Sequence, residues 1–109
     1  MFFTPKQILY YTTKSGSNPF VEWLKKLDHK TIMIIYERLE RMKLGNFGDC
    51  KNLKDGVFEL KISFGPGYRI YFGKNGKEII IILCAGDKKT QNRDIKKAKI
   101  YFRRYKNDK

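Results

Sequence analysis

The sequence predicts an α+β fold, a helical hairpin packed on one face of a small, mainly antiparallel sheet, with elements in the order β-α-α-β-β-β-α. Two observations predict it. Between residues 18 and 45 the apolar side chains recur at helical spacing, whereas from 57 to 84 they alternate or run on continuously, as strands do. The turn signals Gly65-Pro66-Gly67 and Asn75-Gly76 divide that second region into three antiparallel strands. A chain of 109 residues has the length of one compact domain, so a single domain over 1–109 is expected.

Residues 6–13 are β-branched and aromatic enough for a first strand. Lys14-Ser15-Gly16-Ser17 is a turn cluster, after which Asn18 reads as an N-cap and Pro19 as the first helical residue, where its missing N–H costs nothing. Phe20, Trp23, Leu24 and Leu27 give a short helix to about residue 27, with Trp23 in the core. After a tight joint at Asp28-His29-Lys30, a second helix covers 30–44, with Ile32, Ile35, Tyr36, Leu39 and Met42 on one stripe. Glu37 and Arg41 form an i,i+4 pair on its outer side, and Gly45 stops it. The short joint makes the two helices an antiparallel hairpin.

Residues 46–56 read as a loop. In the strand 57–63, Phe58, Leu60 and Ile62 point one way and Glu59, Lys61 and Ser63 the other. In the strand 68–72, Tyr68, Ile70 and Phe72 share one face, and Arg69 and Tyr71 the other. Residues 78–84 form a continuous apolar strand, expected to be central and covered on both sides. Thr90 or Asn92 caps a last helix to about residue 105, with Ile95, Ala98, Phe102 and Tyr105 on its apolar stripe. If the hairpin covers the apolar face, Glu59, Lys61, Arg69 and Tyr71 gather on the opposite one.

The chain holds 24 Lys+Arg against 11 Asp+Glu, a formal charge of +13, which favours a polyanionic partner. The excess is uneven: from Lys88 onward there are 10 basic and 2 acidic residues. A composition of 41% hydrophobic and 15% aromatic residues excludes a disordered chain. Cys50 and Cys84 stand far apart and read as free thiols in a reducing compartment. Met1-Phe2-Phe3-Thr4-Pro5 lacks the charged start and apolar run of a secretory leader, and the longest apolar run, 79–85, is too short to span a membrane. A cytoplasmic protein is therefore expected.

Conventional catalytic sets are missing. The single histidine, His29, falls at the helix joint and reads as a surface or capping residue, and no Cys/His or paired-carboxylate set stands at metal spacing, so neither metal nor cofactor is expected. No P-loop occurs. An enzyme built from these residues works mainly by electrostatics: Lys and Arg stabilise extra charge on a phosphorane-like transition state, with Glu59 or Tyr71 as proton-transfer candidates. Aromatic rings interleaved with bases suit single-stranded RNA, and Lys89, Gln91, Arg93, Lys96 and Lys97 are the candidate RNA contacts. A lysine-rich helix is also, more simply, a solvated face.

Three stretches carry a family resemblance: 55–62 (DGVFELKI), 65–72 (GPGYRIYF), and 85–91 (AGDKKTQ) with Asp94, Ile95 and Ala98. Together with Phe20-Val21-Glu22-Trp23-Leu24 and the 41–49 segment, they resemble the RelE/ParE toxin superfamily, in particular its HigB-like "addiction module killer" branch. The resemblance implies a RelE-like fold and a toxin of a type II toxin–antitoxin pair, neutralised by a small antitoxin. RelE-like toxins cut mRNA, usually on the ribosome, by metal-independent attack of the 2′-OH on the adjacent phosphate. ParE-like toxins poison DNA gyrase instead. By this resemblance Arg69 matches the arginine that binds the cleaved phosphate, Lys61 the basic residue of the preceding strand, and Lys88 the basic residue after the last strand. Glu59 stands where RelE has a lysine, and the C-terminal tyrosine of RelE has no counterpart, its place falling near Asp94.

Simpler roles stand beside these. Tyr68 fills the core, Arg69 pairs with Glu59 across the strands, and Asp87 caps the last helix. Three functions follow: an mRNA endoribonuclease with Lys61, Arg69 and Lys88 on the phosphate, Glu59 as base and Tyr71 as stacking or acid group; a gyrase poison; or a non-catalytic basic RNA-binding module.

Overall fold

The computed structural model describes residues 4–108, so the Met1-Phe2-Phe3 part of the leader argument lies outside the described residues. The fold is α+β. Among the described residues one mixed sheet forms from β1 (Gln7–Tyr10), β2 (Cys50–Asn52), β3 (Val57–Ile62), β4 (Tyr68–Asn75) and β5 (Ile79–Gly86), in the spatial order β1-β5-β4-β3-β2. β1 runs parallel to β5, and every other neighbouring pair is antiparallel. The helices are α1 (Pro19–Leu24), α2 (His29–Lys43) and α3 (Gln91–Asn107), the last entered through a 3-10 turn at Lys88–Thr90.

The Asn18 cap acts as read, and Asp28, read only as part of the tight joint, caps α2. Asn18 Oδ1 accepts from the Val21 amide at 3.2 Å, and Asp28 Oδ1 from the Thr31 amide at 2.8 Å, each satisfying a free N–H of a first turn. Because Asp28 must be extended to cap α2 (ψ 163°), the chain leaves helix early and α1 stops at Leu24, not near residue 27. His29 is exposed on the first residue of α2. The Glu37–Arg41 pair forms on the exposed side of α2, and Gly45 follows the helix at φ 88°.

Three readings of the sheet need correction. β2 lies within the stretch read as a loop; three residues, Cys50-Lys51-Asn52, show no period, and they pair only because β3 offers them an edge. β5 is covered on both faces as expected, but the middle strand is β4. The third concerns the face opposite α1 and α2. One apolar cluster joins Phe20, Leu24, Ile35, Leu39 and Met42 to Leu60, Ile70, Phe72 and Ile82, so both helices pack on one sheet face. The opposite face is not an open polar surface. Ala98 and Phe102 of α3 close a second cluster there with Val57, Tyr71, Ile81 and Leu83. Tyr36, read onto the α2 stripe, is exposed, and Trp23 is half-buried, its ring edge-on to Tyr68 at 5.8 Å.

Two glycines let α3 approach. A Cβ on Gly73 would overlap the Phe102 ring, and one on Gly86 would overlap the Asp94 carboxylate. Asp87 caps the 3-10 turn, its Oδ1 accepting from the amides of Lys89 (2.9 Å) and Thr90 (3.3 Å). The β4–β5 register slips at Tyr71/Phe72, which face Cys84 and Ile82, leaving Leu83 as the extra residue of a bulge. Cys50 and Cys84 are free thiols; burial pushes the Cys84 thiol up to about 12.

Candidate functional site

The face under α3 changes character along its length. At one end stand Val57 and Gly73, beneath Phe102. At the other end the β3–β4 register sets Glu59 directly opposite Tyr71 and Lys61 directly opposite Arg69. Arg69 pairs on its far side with Gly86, so Lys61, Arg69 and Gly86 form one row across β3, β4 and β5, and Lys88 follows just beyond the strand end. The alternation of the two strands thus brings together the four residues it was expected to.

Burial divides the candidates. The Arg69 and Glu59 side chains are only 8% and 7% exposed, with Arg69 Nε 4.0 Å from Glu59 Oε2. Arg69 Nη1 also donates to the Gly67 carbonyl at 2.8 Å. Gln91 Nε2, from the first residue of α3, donates to Glu59 Oε2 at 2.9 Å. A buried arginine and carboxylate each lose hydration, and geometry of this kind fixes a charge in place more than it stabilises the fold. Lys61 and Lys88 are exposed and have no ion-pair partner among the described residues. The row thus holds one fixed guanidinium, with exposed Lys61 opposite it on β3, where it also lines a cleft with Glu37, Arg38 and Arg41 of α2, and exposed Lys88 just past β5.

Tyr71 differs from expectation. Its ring is fully buried beneath α3, so it presents no face to a stacking base. Its hydroxyl, like Arg69 Nε, is buried without a hydrogen bond, and its pKa is pushed well above the usual phenol value, by burial first and then by the Glu59 charge. A phenol so shifted is a weak proton donor at neutral pH.

The candidate RNA contacts also separate. Lys89, Arg93, Lys96 and Lys97 are exposed, whereas Gln91 is half-buried and committed to Glu59. Arg93 and Lys97, one helical turn apart, line a cleft of about 250 Å³ whose opposite wall is Trp23 of α1 and Lys26 just past its end, and whose floor is Cys84 and Ala85. Lys26 was not among the residues singled out by the sequence; a lone lysine at a helix end carries no signal until the fold sets it against another basic helix.

A family model described as phage-derived protein Gp49-like (DUF891) matches residues 22–106. An uncharacterised protein of Haemophilus influenzae is 46% identical over 82 residues, covering 74% of this chain and 83% of its own length.

Proposed function

This chain belongs to the phage-derived Gp49-like family, a family of RelE-like toxins from toxin–antitoxin modules, and from that premise we propose that it is an mRNA endoribonuclease of the HigB-like kind that arrests translation, cutting on the ribosome. The observation that supports this most is the row of Lys61, Arg69 and Gly86 with Lys88 beyond it, a fixed guanidinium with an exposed lysine paired across β3 and another just past β5.

The reaction is attack of an RNA 2′-OH on its adjacent phosphate, giving a 2′,3′-cyclic phosphate as the bond to the 5′-oxygen breaks and that oxygen takes a proton from water to leave as a 5′-hydroxyl. Negative charge builds on the phosphate oxygens in the transition state. Arg69 binds those oxygens from a position set in advance, so little reorganisation accompanies the charge, and Lys61 and Lys88 close on them from either side. Glu59, in the neighbouring pair with Tyr71, held by Gln91 and facing Arg69, orients the guanidinium and is the carboxylate assigned the 2′-OH proton. Tyr71, enclosed and neutral, moves no proton in this reading. An acidic antitoxin would neutralise the toxin by masking the basic surface.

In a translation extract the purified protein should create new mRNA 5′ ends, and Arg69→Ala should abolish them. Cleavage that survives Arg69→Ala sinks the site assignment. Accumulation of DNA–gyrase cleavage complexes with intact mRNA sinks the endoribonuclease reading itself.

A further inference from the structure

The cleft between α1 and α3 exists because β1 is short. β1 pairs with β5 only from Ile79 to Ile82, so beyond Ile82 that edge of β5 has no strand beside it. α1 and α3 flank the uncovered edge, making a trough with Cys84 and Ala85 as its floor. Lys26, two residues past the end of α1, faces Arg93 and Lys97 of α3 across it. The two carboxylates present are already engaged. Glu22 accepts from the Ser17 hydroxyl at 2.9 Å. Asp94 is buried, accepts from the Thr90 hydroxyl, and lies 3.7 Å from Arg93 Nε. Lys26 and Lys97 have no ion-pair partner among the described residues. The cleft is therefore short of negative charge. Its volume of about 250 Å³ suits a small group more than a length of folded chain.

Its place matters as much as its charge. Ala85 precedes Gly86, the residue paired with Arg69, so the trough's floor adjoins the β5 end of the Arg69 row, with the Asp94 carboxylate packed over Gly86. Trp23, half-buried, and Tyr101 stand in its walls. We propose that this cleft is a nucleotide subsite, holding the RNA residue next to the one cut at Arg69, with its phosphate against Lys26 and Lys97 and its base beside Trp23. The proposal rests on the endoribonuclease reading and adds to it a path for the strand and a role for α1. An acidic peptide is the competing occupant. The small volume and the continuity with the Arg69 row favour RNA.

Trp23 is the sole tryptophan, so protein emission comes from this one ring in the cleft wall, which also packs on Phe20 and Tyr68. The full-length protein is titrated with a fluorescein-labelled 2′-O-methyl oligoribonucleotide, which cannot be cut. Expected are quenching of Trp23 emission by the unlabelled oligonucleotide and, for the double variant Lys26→Ala, Lys97→Ala, a loss of that quenching. The same variant should bind roughly tenfold or more weakly, with a slope of log K against log salt shallower by about 0.7, the value for one lost phosphate contact on a single strand. Lys26→Arg with Lys97→Arg should bind as the parent does. A parent that neither binds nor cuts RNA overturns this inference and the endoribonuclease reading together. A parent that cuts RNA, with a double-alanine variant unchanged in quenching and slope, overturns the subsite alone. Loss of antitoxin binding by that variant with RNA binding intact also overturns it and makes the cleft a protein-docking site.

Discussion

Arg69 and Tyr71 lie two residues apart on one face of one strand, yet their circumstances differ. Arg69 is held by Gly67 and Glu59 at the polar end of the face, while Tyr71 is closed off under α3 with its hydroxyl unbonded. A buried hydroxyl without a partner is a net cost. Tyr71→Phe should therefore keep or raise stability at neutral pH, by up to about 1 kcal/mol in urea unfolding. The sign of the pH effect follows from the raised pKa. The unfolded phenol ionises near pH ~10 while the folded one stays neutral, so its contribution is intact below that pH and is lost as pH climbs above it. The Phe variant should lose less stability than the parent between about pH 9.5 and 11. A variant destabilised by about 2 kcal/mol or more at neutral pH would mean that the hydroxyl has a partner after all. At this scale the sequence was informative about direction and silent about cover. Strand alternation assigns Glu59, Lys61, Arg69 and Tyr71 to one side, because parity is local. Which of them another element then buries is set by where α3 docks, and nothing in 57–72 encodes that.

The elements themselves were legible where their chemistry is local. Asp28, which caps α2, was read only as part of the joint, whereas the Asn18 cap and the α3 stripe of Ala98 and Phe102 are readable from short windows. β2 was not, since a three-residue strand is defined by its partner. The docking of α3 depends on two bare backbone positions, Gly73 and Gly86, and a glycine within a strand signals close approach without naming what approaches. Gly86→Ala should push the Asp94 turn away from β5 and cost about 1–3 kcal/mol, the usual penalty of overpacking. It should also loosen Gln91 from Glu59, so cleavage should fall more than a stability loss alone explains. Thermal melts read beside cleavage rates at a temperature where the variant is fully folded test this. Unchanged melting and unchanged rates would refute it.

For the molecule as a whole, a charge of +13 on 109 residues repels itself. Added salt should raise the melting temperature while it weakens RNA binding, the two moving in opposite directions over the same titration. A melting point insensitive to salt would mean that the basic residues are spaced too widely to matter. The sheet's connectivity has a consequence of another kind, in time. β1 is made early but has no strand to pair with until β5, roughly 70 residues later, has been synthesised. The Arg69 row is likewise incomplete until β5 and then Lys88 and Gln91 follow it. A ribosome making this protein has thus nearly finished before its product can assemble the groups that would attack RNA, and a chain interrupted before β5 would be harmless to its maker.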